Sequence, residues 1–300
     1  MNNIIEDIKN NFSSGNSLTK LIYINVGVFL LSQLLYVFPL LFSLPFLTIT
    51  DYFSLPANTS ILAKNPWSII TYMFLHENLL HLFFNLLCLY FGGKIFLSFF
   101  DNKKIISTYV LGGISGAILY MIAFNIFPVF EPIFSKAKLS GASASVLAIV
   151  TAIATKSPNY SVRLFLIENI KLKYIAILMI FLSPLLIPQD RDLDPVINIL
   201  GSFFAHLGGA FFGYLYVKQL NSGNDIASSF NRIMDYLTSM LRSTPKLKKA
   251  YSRKKSDQDF RKEKMQEQAK IDNILDKIAK SGYDGLTKQE KDILFKASKK

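Results

Sequence analysis

The three histidines of this 300-residue chain, His76, His81 and His206, all fall in or beside long apolar stretches. A charged side chain at bilayer depth costs roughly 2.5–3.5 kcal/mol on insertion scales, so ionisable groups placed there point to function. Asn85 follows His81 at i+4, which puts both on one helix face. Ser143 closes Gly141-Ala142-Ser143, and His206 lies in Ala205-His206-Leu207-Gly208-Gly209-Ala210-Phe211-Phe212-Gly213. A serine hydroxyl becomes a useful nucleophile when a neighbouring histidine takes its proton, and the oxyanion that follows needs fixed donors. Ser143, His206, His81 and Asn85 are side chains of the types that acyl transfer requires.

For these residues to meet, their helices must pack closely and at one depth. Gly209 and Gly213 form a GxxxG pair, and such small faces let two backbones approach. Ala144, Ala148 and Ala152 offer a matching small face on the segment that begins near Ser143. At the helical rise, Ser143 lies roughly 20 Å from Lys156, His206 roughly 18 Å from Lys218, and Asn85 roughly 22 Å from the polar residues near Asp101. All three therefore fall at one level. The segment 141–155 covers only about 23 Å, less than the hydrocarbon thickness, so its outer end is sunk below the membrane surface. Ser143 would then stand at a helix N-terminus, where free N–H groups and the dipole favour negative charge.

Half of the chain is apolar (51%), and the mean hydropathy is +0.31. The apolar residues are concentrated between residues 19 and 219, and charge dominates afterwards. Six apolar segments read as spans: 21–47, 79–100, 105–130, 141–155, 174–188 and 196–216. With a cytoplasmic N-terminus, the inner loops hold Lys9, Lys20, Lys94, Lys103, Lys104, Lys156, Arg163, Lys171 and Lys173. The outer loops then hold only Lys64, Lys136, Lys138 and Arg191, so both termini are expected in the cytoplasm. Trp67, in the long first loop, reads as an interface anchor. The single cysteine, Cys88, excludes an intrachain disulfide. The first eighteen residues are polar and acidic, unlike a cleavable signal.

Two other patterns compete for the chemistry. Gly113-Ile114-Ser115-Gly116 is a literal Gly-x-Ser-Gly, but Ser115 falls mid-helix, where neighbouring N–H groups are already bonded; it reads as helix packing. His76-Glu77-Asn78-Leu79-Leu80-His81 resembles a zinc-protease signature with one residue too many, so the two rings diverge by about 140° on a helix. A zinc site would need His206 as its third ligand. No metal and no cofactor is expected.

His81-x-x-x-Asn85, Gly141-Ala142-Ser143 and Ala205-His206-x-x-Gly209-x-x-x-Gly213 resemble, in order and placement, the rhomboid family of intramembrane serine proteases. Tyr72-Met73-Phe74-Leu75-His76 adds to the likeness, which covers about residues 19 to 219. The resemblance implies an all-α membrane protein, a six-transmembrane-helix rhomboid-like bundle plus a cytoplasmic helical tail. It implies hydrolysis of transmembrane protein substrates, with Ser143 as nucleophile and His206 as general base in a dyad. His81, Asn85 and the Ser143 N–H would hold the oxyanion, while Gly141, Gly209 and Gly213 pack the helices around them. A multi-pass protein of a bacterial plasma membrane follows from the same likeness. Ala144 stands where the family usually has glycine, and Ser68 where it usually has arginine.

The expected organisation is a cytoplasmic segment 1–18, the membrane domain 19–219, a basic linker 220–269 and a small helical domain 270–300. Of the net charge of +12, +9 lies after Tyr216, where twenty basic face eleven acidic residues. Beside membrane spans, this charge fits anionic lipid headgroups rather than nucleic acid. Near the end, Ile271, Ile274, Leu275 and Ile278 form an apolar helix face, Gly282 stops it, and Thr287-x-x-Glu290 is a capping box. Two other functions remain open: an inactive rhomboid-like protein that binds membrane clients, and a transporter. The absence of a carboxylate within the spans speaks against the transporter.

Overall fold

The computed structural model describes residues 2–42, 52–163, 169–182, 195–241 and 257–297. Helix α1 (Asn2–Ser14) precedes α2 (Ser17–Leu41), which starts where the Asn16 side chain accepts the Thr19 N–H. The chain then pairs Leu55–Pro56 (β1) and makes two short helical turns, Thr59–Lys64 and Ser68–Thr71, and a tight turn, Tyr72–Phe74. Helix α3 (Leu79–Phe99) follows, capped by Asn78, and α4 (Asn102–Ile126) is capped by Asp101 through the Lys103 and Lys104 N–H groups. Such caps satisfy otherwise orphaned first-turn donors and so fix where each helix begins.

Pro128 opens a 3₁₀ turn, Pro128–Ile133, so α4 ends at Ile126 rather than running on to residue 130. Strand β2 (Lys138–Leu139) leads into α5 (Ser143–Lys156). A second two-strand ladder, β3 (Ser161–Val162) with β4 (Ile170–Lys171), precedes α6 (Leu172–Leu182). Then come α7 (Pro195–Asn221) and α8 (Ser228–Leu241).

Helices α2, α3, α4 and α7 are long and apolar enough to cross a membrane. The chain is thus an all-α integral membrane protein. Helices α5 and α6 are apolar but shorter. The sequence spans 21–47 and 174–188 run past residues 42 and 182 into positions outside the described residues. The expected loop cation Arg191 also lies outside them.

Helix α5 is the centre of the packing. Ten of its fourteen residues are buried, among them Ala144, Ala148 and Ala152. A helix apolar all round is at home only inside a bundle. Glycines of the neighbours make room for it: a Cβ at Gly209 or Gly213 of α7 would run into the backbone of Ala144 or Ala148. From α4, Gly112 abuts the Ala148 methyl and Gly116 the Ala144 methyl, the latter at 2.6 Å from a would-be Cβ. The small faces read from the sequence therefore do meet. Nearby, Asn25 of α2 is fully buried and donates through Nδ2 to the Tyr109 hydroxyl at 3.1 Å. Tyr109 in turn donates to the Met73 carbonyl at 2.9 Å, tying α2, α4 and the 72–74 turn together.

The segment from Arg242 onward forms a separate compact unit. Within it, α9 (Asp257–Ser281) starts well before residue 270 and stops at Gly282, whose φ is +72°. Helix α10 (Lys288–Ala297) begins with the expected capping box: the Glu290 carboxylate accepts the Thr287 N–H at 2.7 Å. Ile274 and Leu286 are buried in this unit, while Leu275 is exposed. The stretch 228–241, read from the sequence as linker, is helical, and its basic continuation to residue 256 lies outside the described residues.

Candidate active site

Ser143 is the first residue of α5, and no side chain caps that helix. Its first-turn N–H groups are thus not taken up by a capping side chain, as those of α2, α3 and α4 are by Asn or Asp. The chain reaches this point through Gly141, whose φ of +122° lies where L side chains are strained. A Cβ there would also meet the His81 ring at 2.6 Å. Two backbone contacts hold the approach: the Gly141 N–H donates to the Tyr72 carbonyl at 3.0 Å, and β1 pairs with β2 through Leu55–Leu139 and Pro56–Lys138. The Ser140 hydroxyl also donates to the Glu77 carboxylate at 2.8 Å.

From α7, the His206 Nε2 lies 2.6 Å from the Ser143 Oγ, within hydrogen-bond range. His206 is 1% exposed. It is held there by the glycines around it: Gly208 against the Ser115 carbonyl and Gly116 Cα, and Gly209 against Ala144. Ser115 donates its hydroxyl to the Gly208 carbonyl at 2.8 Å. The competing Gly-x-Ser-Gly therefore joins α4 to α7 and does not approach His206 Nε2 in Ser143's place.

His81 sits in the first turn of α3, fixed by the Asn78 cap, which accepts its N–H at 2.8 Å. Its ring packs over Gly141, and both ring nitrogens are buried without a hydrogen-bond partner. One of them in a neutral imidazole carries a proton, so a spare donor faces the site. Asn85, one turn on, donates one amide hydrogen to the His81 carbonyl at 3.0 Å and has a second available. His81, Asn85 and Ser143 line one cavity of about 210 Å³, otherwise walled by apolar side chains such as Leu147, Leu178 and Met179. His76 is not part of that lining; its ring stands edge-on to His81 at 5.2 Å. Among the described residues, no group of three His, Cys, Asp or Glu side chains is placed to hold a metal.

Sequence reasoning did not single out Tyr72 for any role. Its hydroxyl donates to the Gly113 carbonyl at 2.6 Å while its own carbonyl anchors Gly141, so it links α4 to the start of α5. A tyrosine in a loop carries no local signal of that kind.

Fold and site together define a helical membrane protein with a histidine-paired serine at an uncapped helix N-terminus. A family model described as Rhomboid domain matches residues 63–221, more than half of the chain. The chain belongs to the rhomboid family. A second model, described as a family of unknown function (DUF6576), matches residues 254–300 and fits an appended C-terminal domain. Comparison with curated proteins and with solved structures gives no match.

Proposed function

We propose that this protein is an intramembrane serine protease that hydrolyses transmembrane protein substrates with a Ser143–His206 dyad. The 2.6 Å contact between Ser143 Oγ and His206 Nε2 is the observation that carries the proposal. Ser143 Oγ attacks the scissile carbonyl carbon while neutral His206 takes the hydroxyl proton at Nε2. The tetrahedral oxyanion forms near the uncapped N-terminus of α5, where the Ser143 N–H, His81 and Asn85 converge as donors. Collapse breaks the C–N bond, His206 passes its proton to the leaving amine, and an acyl-Ser143 remains. Water, deprotonated by His206, then releases the acid and restores the serine. The apolar cavity walls suit a substrate segment drawn from the bilayer.

The same reading includes six crossings, α5 and α6 being the short ones, with both termini in the cytoplasm of a bacterium. The lysine and arginine bias of the loops supports that orientation. Anionic lipid headgroups would meet the basic stretch after residue 241.

The test is reconstitution in lipid vesicles with a model transmembrane substrate. Wild type and Ser115→Ala cleave it; Ser143→Ala and His206→Ala do not. Cleavage retained in Ser143→Ala would sink the assignment, and no cleavage together with no fluorophosphonate labelling of Ser143 in the wild type would favour an inactive client-binding protein.

A further inference from the structure

Helix α8 has no place in the chemistry, yet its sequence is sharply patterned. Phe230, Ile233, Met234, Tyr236, Leu237 and Met240 fall on one side, and Asn231, Asp235, Thr238 and Ser239 on the other. Phe230 and Met234 are half-buried, at the edge of that face nearer the membrane domain. Ile233 (59% exposed), Tyr236 (61%), Leu237 (47%) and Met240 (65%) form a stripe open to the surroundings. Four large apolar side chains aligned at helical spacing are more than the scattered exposure of a soluble surface.

The position of α8 says what covers that stripe. It starts a few residues after α7 ends at Asn221, and Asn221 accepts a bond from Lys156 at the end of α5, at 2.9 Å. Ala227, in the connection, is fully buried against the membrane domain. Farther along, Lys103 in the first turn of α4 reaches both oxygens of Asp235 at 2.9 Å. Exposed as it is, that ion pair adds little stability, but it marks where α8 lies: beside the ends of α4, α5 and α7 on one membrane face. Its fourteen residues reach only about 21 Å, too short to cross. Cations lie on the adjoining helix ends, Lys103, Lys104, Lys156 and Lys218, and on α8 itself, Arg232, while the sequence after it continues with Lys246, Lys248 and Lys249.

We propose that α8 is an interfacial helix lying in the plane of the bilayer, its Ile233, Tyr236, Leu237 and Met240 stripe seated in the leaflet at which α4 begins and α7 ends. A strong apolar face, a polar face and flanking cations are what such helices share. The partner is the phospholipid bilayer itself, with anionic headgroups meeting the cations. This contact is hydrophobic and local to α8, distinct from an electrostatic one through the basic stretch after it, and it holds whether or not the protein is a protease.

Spin labels on the full-length protein test it, in a Cys88→Ser background reconstituted into phosphatidylcholine–phosphatidylglycerol vesicles. Labels at Ile233→Cys, Leu237→Cys and Met240→Cys are expected to collide more with oxygen than with a water-soluble nickel chelate. Labels at Thr238→Cys and Ser239→Cys show the reverse. Nickel accessibility at 233, 237 and 240 equal to that at 239 overturns the proposal. So does spin–spin broadening at those sites that vanishes on dilution with unlabelled protein, which would make the occupant a second copy. Independently, Leu237→Trp in a Trp67→Phe background is quenched by brominated lipid; fluorescence unchanged by that lipid overturns the proposal as well.

Discussion

Gly209 of α7 stands so close to the backbone of Ala144 that no side-chain carbon fits between them. Ala144 follows the proposed nucleophile, and Gly209 lies one turn beyond His206, so this contact sets the distance across the dyad. Gly209→Ala is expected to force the helices apart, lowering stability by about 1–3 kcal/mol and turnover by at least about tenfold. Gly213→Ala, one turn farther from the site against Ala148, destabilises similarly with a smaller loss of turnover. Gly27→Ala, where nothing lies within 4 Å, is the neutral control. Thermal unfolding in detergent, paired with substrate cleavage, reads both quantities.

His81→Ala and Asn85→Ala each remove one donor from the proposed oxyanion region. Each is expected to lower kcat by about two to three powers of ten while KM changes little. Steady-state cleavage in vesicles measures this. A loss confined to KM would assign both residues to substrate binding instead.

Tyr72→Phe deletes the bond to the Gly113 carbonyl but leaves the Tyr72 carbonyl that holds Gly141. The expected cost is about 1 kcal/mol of stability, with turnover within a few-fold of wild type. A loss of activity as deep as that of His81→Ala would show that the hydroxyl does more than brace the loop.

In the C-terminal unit, Lys277 donates to both Glu290 oxygens, at 2.9 and 3.1 Å. That contact foremost, with the Thr287 N–H and hydroxyl, pulls the Glu290 carboxyl from an ordinary 4.5 down to about 2. The folded form thus binds this proton less readily than the unfolded one. The stabilisation is fully present above pH 4.5 and is lost as pH falls through about 2. Carbon-13 NMR of the Glu290 carboxylate in the full chain should show the low midpoint, and Lys277→Ala should raise it. A wild-type midpoint near 4.5 would show that the pair does not form in solution.

Much of the site was legible because helices are regular. A fixed rise per residue let Asn85, Ser143 and His206 be placed at one depth from their distances to flanking charges, and Ser143 and His206 do lie in contact. The small faces of α5 and α7 were legible for the same reason. The boundary at Ile126 was missed because the apolar run continues past it and only Pro128 stops the helix. The helix of 228–241 was passed over because a basic, charged surrounding obscured its apolar period.

By itself, the sequence determined which reactive side chains are on offer and how they are spaced along each helix, since both follow from residue order and helical rise. Only the tertiary structure decided which serine meets His206. Ser115 and Ser143 both follow glycine motifs, and what separates them is lateral. The ladder of β1 with β2, the Tyr72 carbonyl and the positive φ of Gly141 bring the start of α5 beneath His81. Those are contacts between residues far apart in the chain, and no local period encodes them.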